Sequence, residues 1–175
     1  MYLDDEDEKP QRKIFQNALY VQYSPSQYLF EGLPHQHFQE MSLGYFRALQ
    51  IMEEKPYYVE LGAAAKYSWA NGISIPSEES RNCNLFTLRI PVSVMYKFYL
   101  HKTKEIAVAP YAGAYFRAIV AGKEEGWNAC QLGWHVGARF YWERYYIGVS
   151  YARDFPDKSK TPSIHECGVH LGVCF

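Results

Sequence analysis

The sequence predicts an all-β fold, an eight-stranded antiparallel up-and-down transmembrane β-barrel, from three observations. Tyr, Phe and Trp, which favour strands and membrane interfaces, number 16, 10 and 4 among the 175 residues. Apolar and polar residues alternate with a period of two, as expected for strands with two different faces. The connections between these segments alternate between short turns and longer loops, as they do in transmembrane barrels.

Charge and hydropathy narrow the class of protein. The 18 basic and 19 acidic residues nearly balance, which argues against a nucleic-acid-binding face. No apolar run is long enough for a membrane-spanning helix, whereas spanning strands need no such run. Because an acidic run at residues 4–8 stands where a signal peptide would, we expect a mature form whose export signal has been removed. Residues 1–16 are expected to form a flexible periplasmic tail and 17–175 the barrel.

The first two predicted strands cover residues 17–25 and 39–52. The second has the weakest pattern, because it also fits an amphipathic helix. Within it, Arg47 shares the parity of the apolar residues and would face lipid. A β-bulge near Tyr45 and Phe46 is the device that would turn it inward.

The third and fourth predicted strands, 57–70 and 85–100, separate two faces clearly. The apolar face carries Val59, Leu61, Ala63, Ala65, Tyr67, Trp69, Phe86, Leu88, Ile90, Val92, Val94, Tyr96 and Phe98. The other face carries charged and small residues, including Glu60, Lys66, Arg89 and Lys97. Such a contrast is typical of a strand between two different environments.

The last four predicted strands cover residues 105–121, 128–142, 145–155 and 164–175. In the sixth and eighth strands every second residue is apolar, and the intervening positions hold Gly, His, Arg and Glu. Arg153 falls on the apolar face near a strand end, where a long side chain can extend to the lipid headgroups.

The connections fall into two groups. The short ones are residues 53–56, 101–104 and 143–144, and the long ones are 24–37, 71–84, 122–127 and 156–163. Short periplasmic turns and long outer loops are typical of transmembrane barrels, and an even strand number places both termini in the periplasm.

Two architectures explain the alternation. A soluble lipocalin-like barrel that binds an apolar ligand would turn Val59, Leu61, Phe86, Leu88, Ile90 and Val92 inward. A membrane barrel turns them outward, between two aromatic girdles. One set of large aromatics lies near the short turns: Tyr57, Phe98, Trp142, Tyr145 and Phe175. The other lies near the long loops: Tyr23, Tyr67, Trp69, Phe86, Trp134 and Tyr151. This distribution favours the membrane barrel.

The polar face then lines a narrow lumen. Its expected network is Glu60, Lys66, Arg89, Lys97, Arg117, His135, Arg139, Glu166 and His170. Buried charges need partners, so we expect the cations to pair with Glu60 and Glu166, in room left by lumen glycines. Eight strands enclose a lumen that side chains fill, which argues against a general pore.

Three segments carry a family resemblance: residues 109–116, residues 133–140 with 146–151, and the terminal segment 168–175. With them the chain resembles the small OmpA/PorT-like outer-membrane β-barrel proteins. The resemblance implies location in a bacterial outer membrane, contact with its lipid, and recognition by the barrel-assembly machinery. The assembly signal would comprise Val169, Leu171, Val173 and Phe175.

Candidate chemistry is sparse. His35 and His37 flank one residue, but no further ligand completes a metal site. A lipid-modifying enzyme would need a triad such as Ser150, His135 and Asp154, whose spacing carries no signature. We therefore predict no enzyme, cofactor or metal.

Two further features are expected at the outer end. Cys83 and Cys130 both fall near the outer rim, and the sequence does not decide whether they form a disulfide. Surface contact with an unknown extracellular or periplasmic protein is expected in the loops, at Tyr28, Phe30, His35, His37 and Ile73.

Overall fold

The structure is a computed structural model that describes residues 15–29, 36–52, 55–75, 78–101, 104–122, 129–155 and 163–175. The strands are β1 (Phe15–Leu29), β2 (Gln36–Gln50), β3 (Tyr57–Ile75), β4 (Glu78–Tyr96), β5 (Phe98–Tyr99), β6 (Ile106–Ala121), β7 (Cys130–Trp142), β8 (Tyr145–Asp154) and β9 (Ser163–Cys174). Because β5 continues β4 beyond Lys97, the wall has eight strands. Within these ranges no helix is long and apolar enough to cross a membrane.

The sheet closes on itself, which confirms the predicted fold class. Every neighbouring pair of strands is antiparallel, and the order β4-β3-β2-β1-β9-β8-β7-β6 is closed by pairing between β4 and β6. The first and last strands pair from Ala18↔Cys174 onward. Closure pairs the main-chain groups of what would otherwise be sheet edges, as a membrane-spanning sheet requires.

The barrel is inside out compared with a soluble protein. The side chains of Leu61, Leu132 and Leu171 are 56%, 59% and 59% exposed, whereas Lys66 and Arg117 in the lumen are 2% and 1% exposed. The lipocalin-like alternative is therefore wrong. The residues that it would turn inward lie instead on the outer surface, among them Leu61, Phe86, Leu88, Ile90 and Val92. An exposed apolar band of this extent matches a lipid environment.

Aromatic side chains border the apolar band at both ends. At the end where β1–β2, β3–β4, β6–β7 and β8–β9 connect, here called the loop end, Tyr67 packs on Trp69 and Trp134 on Tyr151, with ring centroids 5.8 and 5.5 Å apart. At the opposite turn end, Tyr96 packs between Tyr57 and Phe98. On β1 to β4 the exposed residues beyond the loop-end girdle become polar: Gln27, His37, Asn71, Asn82 and Asn84. This change marks the boundary of the apolar band.

The strands at the loop end are longer than predicted. The expected loops 24–37 and 71–84 are largely strand, because β1 and β2 continue to Leu29 and Gln36, and β3 and β4 to Ile75 and Glu78. Their polar composition resembles that of loops, but main-chain pairing continues past the apolar band. The helical alternative for β2 is also wrong. As a result, the first two connections are not the longest; the gaps before β7 and β9 are longer.

The predicted bulge near Tyr45 and Phe46 is wrong. Pairing between β1 and β2 runs without a shift from Phe15↔Leu49 to Tyr28↔Gln36, and pairing between β2 and β3 is equally regular. Without a bulge the parity is kept, so Arg47 stays on the outer face and is exposed. Arg153 is exposed on the same face, close to the loop end.

Lumen glycines make room for tyrosine rings more than for arginine side chains. Four glycines lie directly across a strand pair from a tyrosine: Tyr20↔Gly44, Tyr115↔Gly133, Tyr111↔Gly137 and Tyr146↔Gly172. A Cβ atom added at any of these glycines would overlap the partner's ring. The tyrosine covers the glycine, as aromatic residues do in other sheets.

Candidate functional site

The lumen is filled in layers, beginning at the turn end with Lys97. The Nζ atom of Lys97 donates to Gln16 Oε1 at 2.5 Å and lies 3.3 Å from Glu105 Oε1. The same ammonium group lies 4.2 Å from the ring centroid of Tyr141 and 5.2 Å from that of Tyr58. A cation between a carboxylate and aromatic faces is well stabilised, so the Lys97 ammonium group is held inside the lumen near the turn end.

The second layer is the ion pair between Arg139 and Glu60. Two hydrogen bonds join them, Nη1 to Oε2 at 2.5 Å and Nη2 to Oε1 at 2.8 Å. The guanidinium carbon lies 4.3 Å from the ring centroids of both Phe46 and Tyr111. Bidentate geometry with ring stacking is the arrangement in which a buried Arg is best compensated.

A small cavity of about 40 Å³ lies near the middle of the barrel. Tyr20, Tyr111, His135 and His170 are among its lining residues. Ser93 Oγ and His135 Nε2 are 3.1 Å apart, whereas neither ring nitrogen of His170 has a hydrogen-bond partner among the described protein groups. A water molecule needs roughly 10–15 Å³ of such volume, so the cavity has room for water but not for an organic substrate.

The third layer is centred on Glu166. Its Oε2 atom accepts hydrogen bonds from Lys66 Nζ at 2.5 Å and from Arg89 Nη2 at 2.7 Å. Lys66 also donates to Glu40 Oε2 at 2.9 Å, which links two carboxylates through one ammonium group. Arg89 stacks on the ring of Tyr115 at 4.1 Å. Together these residues bridge strands on opposite sides of the barrel.

The fourth layer is formed by Asp154. Its carboxylate accepts from Arg117 Nη2 at 2.7 Å, from the Tyr115 hydroxyl at 2.7 Å and from the main-chain N–H of Ile164 at 3.0 Å. Arg117, which is 1% exposed, also donates to Gln131. A carboxylate with three donors is fully compensated for its burial.

An apolar cap lies above these charges at the loop end. Its buried members are Tyr28, Phe38, Ala70, Cys83, Leu85, Ile119 and Ile164. The rings of Tyr28 and Phe38 are 4.0 Å apart, and the Tyr28 hydroxyl donates to Glu40 below. The lumen is therefore closed by a cap above and by ion pairs beneath it.

All nine residues of the expected lumen network lie inside the barrel and are buried. Arg139 and Arg89 pair with Glu60 and Glu166, whereas Lys97 and Arg117 pair instead with Glu105 and Asp154. Three carboxylates that pair with lumen cations were not predicted from the sequence: Glu40, Glu105 and Asp154. Strand parity was the available signal for Glu40 and Asp154, since both alternate with outward-facing residues.

The structure places the expected contact residues differently from one another. The prediction for Tyr28 is wrong: Tyr28 lies in β1 with its side chain completely buried in the cap, because the strand continues where a loop was expected. His37 is exposed on β2. Phe30 and His35 lie outside the described residues, and of Ile73 the structure describes only its strand position opposite Arg81.

The described residues contain neither the triad nor the disulfide considered above. His135 contacts Ser93 and Asp154 contacts Arg117, so Ser150, His135 and Asp154 form no connected triad. Cys83 faces the lumen and Cys130 is exposed, and neither forms a disulfide. Across the described ranges, no three His, Cys, Asp or Glu side chains are grouped closely enough to hold a metal ion.

Comparison with known proteins places the fold among small outer-membrane β-barrels. Ail, the attachment invasion locus protein of Yersinia pestis, solved with the heparin analogue sucrose octasulfate, shares 12% identity over 93% of this chain and 100% of its own, with a TM-score of 0.55. The outer-membrane enzyme PagL shares 11% identity over 87% and 98%, with a TM-score of 0.50. No protein-family profile and no curated protein matches the sequence. At these identities the likeness shows the fold.

Proposed function

We propose that the protein is an integral outer-membrane barrel with its loop end outside the cell and both termini in the periplasm. In this proposal it presents a rigid contact surface and serves neither as a pore nor as an enzyme. The observation that carries the proposal is the filled lumen: in the described part of the chain, the apolar cap and the layers of Asp154, Glu166, Glu60 and Lys97 occupy the interior from one end to the other. Function therefore belongs to the outer surface and its ends.

The loop end has the properties of a contact surface. β3 and β4 are 19 residues long each, whereas a spanning strand needs about 9–11 residues, so their hairpin projects beyond the apolar band. The exposed polar residues of that projection include Asn71, Asn82 and Asn84. Strand pairing in this hairpin continues to Ile75↔Glu78 through register shifts at Ala70/Ile73 and Ile73/Ile75. The backbone is therefore more restrained than that of an unpaired loop, which lowers the entropy cost of binding.

The assembly signal, the family kinship and the non-catalytic role are supported by observations other than the filled lumen. The outward residues Val169, Leu171, Val173 and Phe175 alternate along the terminal strand, as an assembly signal for the barrel-assembly machinery would, and kinship with the OmpA/PorT-like proteins fits the same segment. The fold itself does not decide against catalysis, since PagL is an enzyme. The non-catalytic role is supported by the burial of His135 and Asp154 in the lumen, away from lipid.

Conductance across a planar lipid bilayer tests the filled lumen. We expect the refolded full-length protein to insert without producing ion-conducting steps, at any voltage that the bilayer tolerates. A general porin reconstituted by the same procedure is the positive control. Reproducible single-channel steps from the wild-type barrel would contradict the proposal.

Site-specific photo-crosslinking tests the contact surface. A photoreactive amino acid at Asn82, on the projecting hairpin, is expected to give discrete protein adducts in living cells. The same group at Leu61, in the apolar band, is the matched control and should give lipid adducts. If Asn82 yields no adduct while the variant is folded and present in the membrane, the contact role is wrong.

A further inference from the structure

The outward wall formed by β7, β8, β9 and β1 contains an apolar groove of about 750 Å³. Its walls include Tyr23, Val136, Val149, Tyr151, Cys167 and Val169, and its floor is low at Ala138, whose outward side chain is a single methyl group. A groove of this kind in a lipid-facing surface is filled by hydrocarbon when the barrel lies in a bilayer.

The groove coincides with an interruption between β1 and β9. Their paired residues stop at Tyr23↔Val169 and resume at Ser26↔Glu166. Pro25 lies in the interruption and has no N–H to donate to the ladder. The groove therefore lies where Pro25 interrupts the pairing between β1 and β9.

A row of basic and polar residues lies just above the groove, towards the loop end. Directly paired positions place Arg153 beside His165, His165 beside Gln27, and Gln27 beside His37. Strands are about 4.8 Å apart, so the row extends roughly 14 Å across the barrel surface. Arg153 is two residues beyond Tyr151 on the same face, about 7 Å above the groove wall.

The outer face of this wall is free of opposing acid within its strands. The carboxylates of β1, β2, β7, β8 and β9 in the described ranges are Glu40, Asp154 and Glu166, and all three are buried in the lumen. The exposed cation Arg153 and the imidazole of His37 therefore face outward without a neighbouring strand carboxylate. The Tyr151 hydroxyl lies 3.4 Å from His165 Nδ1, which joins the groove wall to the row.

We propose that this wall binds a phosphorylated lipid of the surrounding leaflet. The acyl chains occupy the groove, and the phosphate accepts hydrogen bonds from Arg153, with Gln27, His165 and His37 beside it. Guanidinium and phosphate form strong charge-assisted pairs, and a long side chain at the rim reaches the headgroup level. The identity of the leaflet rests on the proposed orientation, whereas the site itself does not.

Native mass spectrometry of the refolded full-length barrel in detergent micelles tests the site with lipid A, a diphosphorylated, acylated glucosamine disaccharide. We expect one retained lipid A molecule, and about tenfold weaker retention for Arg153→Gln, since a hydrogen bond to a charged group is worth one such factor or more. Ala138→Leu, which fills the groove, should weaken retention similarly. The matched controls, the outward-facing Arg47→Gln and Ala63→Leu, should not.

Each alternative outcome overturns the proposal. Equal retention by Arg153→Gln and Ala138→Leu, or equal retention of a dephosphorylated lipid, would show that the lipid is held without this site. Displacement by the free phosphorylated disaccharide would indicate a soluble ligand, and a dimer sensitive to Ala138→Leu would indicate a second copy of the chain. Heat-dependent gel mobility verifies that every variant is folded. A wrong membrane orientation, measured separately on cells, would leave the micelle result unchanged.

Discussion

Arg139 and Glu60 hold opposite parts of the barrel wall together through two hydrogen bonds of 2.5 and 2.8 Å. They belong to β7 and β3, which are not neighbours in the sheet. The barrel is therefore stabilised by contacts across the lumen as well as by the strand ladders. Because neither charge has bulk water around it, each depends on the other for compensation.

Loss of one partner of this pair should be costly. Glu60→Gln leaves the Arg139 guanidinium buried without its anion, and we expect the free energy of unfolding to fall by about 3–5 kcal/mol. Urea unfolding in micelles, followed by tryptophan fluorescence, measures it. Replacing both residues, as Glu60→Leu with Arg139→Met, should recover most of the loss. The exposed turn substitution Glu143→Gln is the control, and an equal effect there would contradict the explanation.

The tyrosine–glycine pairs predict a second effect. A Cβ atom at position 44 would overlap the ring of Tyr20, so Gly44→Ala should destabilise the barrel by about 1–3 kcal/mol through overpacking. In a Tyr20→Leu background the same substitution should have little effect. The double-mutant cycle measures the coupling from the two unfolding free energies. Additive effects of the two changes would show that the ring does not constrain this glycine.

Strand parity predicted which residues enter the lumen, because a period of two leaves no ambiguity once a strand is assigned. Parity does not give distances, so Lys97 and Arg117 were assigned the wrong carboxylates. Strand ends were predicted poorly for another reason. Polar residues such as Asn84 lie where the apolar band ends and the composition resembles a loop, although Asn84 pairs with Trp69 and pairing continues, through register shifts, to Ile75↔Glu78. Tyr28 was misplaced by the same effect.

An arginine introduced on the apolar band should cost more than one introduced on the projecting hairpin. Leu61 is 56% exposed in the middle of the apolar band, so Leu61→Arg should cost about 2–4 kcal/mol in a lipid bilayer. Asn82→Arg, on the projecting hairpin, should cost about 0–1 kcal/mol because position 82 lies in water. Unfolding of both variants in vesicles measures the difference. Equal costs would place the hairpin within the bilayer or the band outside it.

Cys130 offers a measurement of orientation without any added label site. All four cysteines lie in the described part of the chain and form no disulfide, and only Cys130 and Cys167 of them are exposed. Cys167 lies in the lipid-facing groove, whereas Cys130 begins β7, four residues and about 13 Å beyond the girdle residue Trp134. A hydrophilic maleimide that cannot cross membranes should therefore label Cys130 alone.

If the loop end is outside, the maleimide should label Cys130 on intact cells, and the Cys130→Ser substitution should abolish the labelling. In the Cys130→Ser background, Arg144→Cys at the exposed β7–β8 turn is the matched control, expected to react only after the outer membrane is permeabilised. The reverse pattern, with Arg144→Cys labelled on intact cells and Cys130 protected, would invert the proposed orientation. It would place the projecting hairpins in the periplasm, where their partner would have to be a periplasmic protein.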